Sequence, residues 1–247
     1  MKLLAYPLTV LYAFAFLLTI CIFHPMLWIS HRVFGYNALQ HSVNVLQFFL
    51  LRCLNILGTR FKYINKFDNE IPKDAPLIIV SNHQSMYDIS PILWYMRQYH
   101  PKFISKIELG KGIPSVSYNL RHGGAALIDR KNPRQSIRAI NEFSEFINEK
   151  KYAAVIFPEG TRSKDGTPKP FQRRGLLTLM KNIPNATVVP LTINNSWKTL
   201  KYGKFPMGLG AQIILTVHKP INLSTFTETT DTLIDQIEHT VTQSINH

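Results

Sequence analysis

The chain has 247 residues, 45% of them hydrophobic, and carries 28 Lys and Arg against 15 Asp and Glu, for a formal charge of +13. That length holds one sizeable α/β domain plus an attachment segment, and the charge calls for an anionic partner, whether nucleic acid, anionic lipid or a phosphorylated substrate. The two cysteines, Cys21 and Cys53, both lie in apolar stretches, which excludes a disulfide framework and fits a reducing compartment.

Residues 3–23 contain no charged side chain. They are long enough to cross or deeply enter a bilayer. The run outlasts the apolar core of a signal peptide, about 7 to 15 residues, and Phe23-His24-Pro25-Met26 offers no small-residue cleavage site. Residues 38–57 place Leu39, Val43, Leu46, Leu50, Leu54 and Leu57 at spacings of three and four, with Gln40, Asn44, Gln47 and Asn55 off the stripe. This predicts an amphipathic helix, either lying in the membrane interface or covering the globular domain, and Gly58 stops it. The expected division is therefore a membrane-attaching helical segment over 1–58 and an α/β domain over 59–247. Arg32, Arg52, Arg60, Lys62 and Lys66 follow the first apolar run and only Lys2 precedes it, which favours a catalytic domain on the cytoplasmic side.

From residue 76 the pattern alternates. Strands are predicted at 76–81, 102–105, 124–129, 152–157, 187–194 and 211–218. Helices are predicted at 87–99, from Asn132-Pro133 onward, at 176–181 and at 228–245, and residues 106–114 begin an irregular, partly helical stretch. Asn132 reads as an N-cap with Pro at the first helical position. Such alternation predicts an α/β fold with a mostly parallel central sheet flanked by helices.

Two loops carry chemistry. His83 follows the first strand, at the carboxyl end where ligands bind in open α/β sheets, and is a candidate general base. Asp88 lies five residues on, and a continuous helix would turn it about 140° away. The two side chains meet only if the chain bends, as a strand-to-helix turn near Ser85 allows. The alternative is a capping box, Ser85 with Asp88, beside an incidental His83. No H-E-x-x-H and no Cys pair accompany them, so no metal site is expected. The second loop, Pro158-Glu159-Gly160-Thr161-Arg162-Ser163, follows another strand. Its Gly, hydroxyl and Arg form a candidate anion site, against the alternative of a polar turn whose Arg faces water. Arg173 and Arg174 add cations downstream.

Four blocks in one order are Asn82-His83-x-Ser85-x-x-Asp88, Gly124-x-x-Leu127-Ile128-Asp129-Arg130, Phe157-Pro158-Glu159-Gly160-Thr161-Arg162-Ser163 and Val189-Pro190-Leu191. Together they resemble the glycerophospholipid acyltransferase family, and most closely its 1-acylglycerol-3-phosphate (lysophosphatidic acid) branch. Leu127 stands where that family usually has Phe, and residues 115–122 diverge from its usual text. The resemblance implies acyl transfer from acyl-CoA or acyl carrier protein to the sn-2 hydroxyl of a lysophospholipid, with no metal or prosthetic group. It implies His83 as base, Asp88 as its orienting partner, and oxyanion donors among backbone N–H groups at the start of the following helix. Gly160, Thr161, Arg162, Lys106 and Arg130 would hold the acceptor phosphate, and Glu159 would position the acceptor. The expected setting is the cytoplasmic membrane, entered by residues 1–58 without full crossing. The same chemistry on glycerol-3-phosphate or another lysolipid is the nearest alternative. A membrane-tethered nucleic-acid binder is the other, but no basic stripe interleaved with aromatics supports it, and no nucleic-acid partner is expected.

Overall fold

The computed structural model describes residues 2–245. Its first element, α1 (Lys2–Asn55), reverses at Gly35, whose φ of 82° and ψ of −169° belong to a region that only glycine enters readily. The two limbs run antiparallel, with Ser30 Oγ 2.8 Å from Ser42 Oγ and Thr19 Oγ1 3.5 Å from Cys53 Sγ. Ile20, Phe23 and Leu27 of the first limb zip against Leu39, Val43, Leu46 and Leu50 of the second. The first limb therefore runs past residue 23, where the predicted membrane-entering stretch ends, and carries Pro25 within it. All six apolar residues of the second limb's predicted stripe are buried, so that stripe covers protein. The first limb turns its outer face outward bare, with Leu3, Phe14, Val33 and Phe34 each more than 60% exposed.

The remaining elements are β1 (Arg60–Asn65), β2 (Leu77–Ser81), α2 (Ile89–Tyr95), β3 (Pro101–Lys106), α3 (Val116–His122), β4 (Ala126–Ile128), α4 (Pro133–Lys150), β5 (Ala153–Ile156), α5 (Arg173–Asn182), β6 (Thr187–Asn194), β7 (Gln212–Val217), β8 (Ile221–Asn222) and α6 (Thr230–Gln243). The strands form one sheet in the order β1-β7-β6-β2-β5-β3-β4, with β8 on β6. Every pairing is parallel except those of β6 with β7 and β8. The mostly parallel α/β sheet is thus as expected, and α3 falls in the stretch read as irregular and partly helical, whereas β1 and β8 carried no recognised signal.

At the centre, β2 is buried along its whole length, and successive side chains feed opposite layers. Ile78 and Val80 pack under α4, α5 and α6, against Ile147, Leu176 and Ile237 among others. Leu77 and Ile79 pack on the other face with Ile92 and Met96. Because β2, β3, β4, β5 and β6 run the same way, their carboxyl ends share one edge, and both loops lie there. At the opposite edge the hairpin tip is tied to the sheet. Lys102 Nζ donates to Gln40 Oε1 and lies 5.5 and 5.3 Å from the Tyr36 and Tyr152 ring centres. Burial pushes its pKa down to about 7.

Candidate active site

The first loop begins with a side chain that imitates a strand. Asn82 Nδ2 donates to Ile193 O at 2.8 Å and its Oδ1 accepts from Ile193 N at 2.7 Å, which extends the β2–β6 pairing by one residue. The backbone then turns. Ser85 is extended and caps a short 3-10 helix, Met86–Asp88, that runs into α2. Asp88 is fully buried, and its Oδ2 accepts from His83 Nδ1 at 2.7 Å, Gln84 N at 2.8 Å and Ser85 N at 2.9 Å. The capping box and the His–Asp pair are therefore not rivals, since one carboxylate oxygen serves both. His83 keeps 17% of its side chain exposed, and its Nε2 has no partner among the described residues.

The second loop grips the first. His83 N donates to Glu159 Oε1 at 3.0 Å, and Ser163 N donates to His83 O at 2.8 Å. The imidazole lies flat on Phe157, ring centres 4.1 Å apart at 11°. Glu159 points inward, is 2% exposed, and its Oε2 has no hydrogen-bond partner among the described residues. Burial pushes its carboxyl up to about 7, against the opposing pull of the His83 N–H.

Gly160 has φ 69°, donates its N–H to Phe157 O, and sits where a Cβ would come within 3.1 Å of Gln172. Its place in the loop is thus to make the turn. Arg130, just past β4, donates to Gly160 O. Lys169 Nζ donates to Thr161 Oγ1 and Arg162 O, both at 2.9 Å. The Arg162 guanidinium and the Lys106 ammonium at the end of β3 are exposed, with no side-chain partner among the described residues.

His83, Asp88 and Glu159 are thus joined directly, as are Arg130 and Gly160. Lys106 and Arg162 share only the same sheet edge. Just before the helix whose first N–H groups were expected to serve an oxyanion, the N–H groups of Gln84 and Ser85 are committed to Asp88, and within it Tyr87 N donates to Ser85 Oγ at 3.3 Å. The sequence reading missed Phe157 as a platform and Lys169 as a clasp. The aromatic preceding Pro158 was the only signal for the first, and nothing marked the second.

A model of the Acyltransferase family matches residues 64–194. The chain is 32% identical over 184 residues to a chloroplastic 1-acyl-sn-glycerol-3-phosphate acyltransferase of Brassica napus, covering 74% of this chain and 50% of that protein. It is 35% identical over 115 residues to the 1-acyl-sn-glycerol-3-phosphate acyltransferase of Helicobacter pylori, covering 45% of this chain and 44% of that one. The chain spans about half the length of these curated relatives. The fold matches the crystal structure of the 1-acyl-sn-glycerophosphate acyltransferase of Thermotoga maritima with a TM-score of 0.75, over 98% of this chain and 93% of that one, at 24% identity. With the family match taking in both loops and the strands that carry them, over more than half of the residues, the chain belongs to the Acyltransferase family.

Proposed function

We propose that this protein moves a fatty acyl group from a thioester, acyl-CoA or acyl carrier protein, to the sn-2 hydroxyl of a 1-acylglycerol-3-phosphate, giving phosphatidic acid at the cytoplasmic membrane. One observation carries the chemistry: His83 Nδ1 is bound to a fully buried carboxylate while Nε2 is open. Asp88 holds the tautomer that leaves Nε2 able to accept a proton. As the acceptor oxygen attacks the thioester carbonyl, Nε2 takes the hydroxyl proton. The tetrahedral intermediate then collapses, the C–S bond breaks, and the imidazolium returns its proton to the leaving thiolate. No serine nucleophile enters, and the atoms balance without a metal or prosthetic group. With the Gln84 and Ser85 N–H groups engaged by Asp88, the oxyanion draws its donors from the start of the following helix or from elsewhere on this edge.

Lys106 and Arg162, cationic and uncommitted, suit the acceptor phosphate. Thr161 and Arg130 shape the loop beside them. Glu159 acts on the acceptor indirectly, by fixing the His83 backbone. The bare apolar face of the first hairpin limb supports membrane attachment.

Purified protein supplied with a panel of lysolipids and both donor types, read by mass spectrometry, tests the assignment. Acylated 1-acylglycerol-3-phosphate is the expected product. Preferential acylation of another acceptor overturns the substrate, and no turnover with any acceptor overturns the reaction.

A further inference from the structure

Between β6 and β7 the chain leaves the sheet at the active-site edge for residues 195–211 and returns. The base of this excursion is locked to the catalytic turn. Ser196 N donates to Gln84 Oε1 at 3.1 Å, and Thr199 Oγ1 lies 3.4 Å from Ser85 Oγ. Another bond joins it to the hairpin, from Met207 N to Thr9 Oγ1 at 2.9 Å. The tip is unlike its base. Lys201, Tyr202, Lys204 and Phe205 are all exposed, Phe205 by 58% and Tyr202 by 37%. Residues 195–211 contain no Asp or Glu, and none of their lysines has a carboxylate partner among the described residues.

The tip also continues another surface. Phe205 meets Tyr6 edge-on at 5.4 Å, and Lys2 and Lys201 lie 5.7 and 4.9 Å from the Tyr202 ring centre. Leu3, 86% exposed, and Leu4, 60% exposed, begin the bare apolar face of the hairpin at the same place. Lysines beside an amphipathic tyrosine and an exposed phenylalanine match the chemistry of a bilayer surface. On such a surface a tyrosine ring sits at headgroup level, a phenyl group enters the acyl boundary, and ammonium groups meet lipid phosphates.

We propose that this tip is a second membrane contact, selective for anionic headgroups, which sets the catalytic turn against the bilayer. The proposal rests on the membrane reading of the hairpin, and it adds a preference for anionic lipid to the apolar contact made by the hairpin face.

The test is co-sedimentation of the full chain with phosphatidylcholine vesicles, alone and with phosphatidylglycerol added. Lys201→Glu with Lys204→Glu should weaken partitioning onto the anionic vesicles on the order of tenfold or more and leave the neutral vesicles nearly unaffected. Phe205→Ser should weaken binding to both. Activity on detergent-dispersed substrate checks folding; should charge reversal disturb it, Lys201→Gln with Lys204→Gln should give the same selective loss at smaller size. Leu11→Glu with Leu18→Glu, on the exposed hairpin face, tests the hairpin separately. If that variant binds like wild type, the hairpin reading fails. If it loses binding while the lysine variants keep theirs on anionic vesicles, the tip is not a lipid contact. Lysine variants that keep vesicle binding but raise KM for acyl carrier protein would show that the tip takes an acidic protein, which also overturns the proposal.

Discussion

The Asp88 carboxylate shows how much one atom can carry, because Oδ2 both closes the turn and orients the base. His83→Ala is predicted to lower kcat by about 10²-fold or more, the usual scale for a general base, with the fold retained. Asp88→Asn should cost more than a tautomer. With the amide oxygen in the place of Oδ2 the three donors keep an acceptor without its charge, and a buried NH2 replaces Oδ1, which has no partner among the described residues; the other orientation turns that NH2 against the three donors, so folding stability should fall by about 1–3 kcal/mol together with kcat. Steady-state kinetics and thermal unfolding separate the two effects, and an unchanged Tm for Asp88→Asn would refute the shared role. Arg162→Ala should raise the acceptor KM by roughly the 1.5–3 kcal/mol of a charge-assisted hydrogen bond and leave the donor KM nearly unchanged. An equal rise for the donor would move Arg162 to the donor's phosphates. Glu159 predicts a pH dependence. Burial raises its carboxyl from 4.5 to about 7, so its stabilising contribution is full below 4.5 and is lost as pH rises through about 7. Glu159→Gln keeps an acceptor for the His83 N–H without the charge. Its stability relative to wild type should improve between pH 5 and 8 by at most a few kcal/mol, at about 1.4 kcal/mol per pKa unit. Denaturant unfolding at those two pH values measures it. The His83–Asp88 pair was legible because its partners are five residues apart and a turn was foreseeable. The Phe157 platform and the Lys169 clasp join residues whose meeting depends on the whole sheet, and no local pattern encodes that.

Among the elements, those with strong apolar runs were the ones that could be read. β2 and β6 are buried on both faces, which writes β2 as a nearly unbroken apolar run and gives β6 its Val188, Val189, Leu191 and Ile193. β1 is half-buried at the sheet edge and alternates Arg60 and Lys62 with Phe61 and Tyr63, too weak a run to stand apart from a loop. α3 is seven residues long, and the burial of Tyr118 against the hairpin gives it its place. The hairpin itself hinges on one backbone conformation. At Gly35 nothing stands within 4 Å of an added Cβ, so a substitution there meets no clash and pays for backbone strain alone. Gly35→Val is predicted to cost about 1–3 kcal/mol, the range for a side chain forced into such a region. Thermal unfolding should show the loss, and an unchanged Tm would mean that the two limbs do not need this reversal.

At the scale of the molecule, the proposed acylation of a lysolipid raises the question of how the α/β domain would reach a substrate held in a bilayer. The first hairpin limb touches the catalytic domain repeatedly along its length. Tyr12 lies 6.1 Å from the Tyr87 ring, His24 Nδ1 accepts from Ser115 N at 3.0 Å, and His31 Nδ1 lies 2.9 Å from Tyr118 Oη. A helix crossing the bilayer would carry these contacts away from the domain, whereas a hairpin lying against it keeps them and embeds only its bare outer face. Deleting residues 1–58 is a poor test, because it would also uncover Tyr87, Tyr118 and Met207. Labelling leaves the fold in place. Lys2→Cys is introduced after Cys21 and Cys53 are replaced by Ala, and intact cells are treated with an impermeant maleimide. Lys2 lies over Tyr202 at the active-site edge, so the N-terminus should stay on the catalytic domain's side of the membrane. The cysteine should remain unlabelled in intact cells and become labelled once they are opened. Labelling in intact cells would place the N-terminus on the far side, and the single-leaflet arrangement would be wrong.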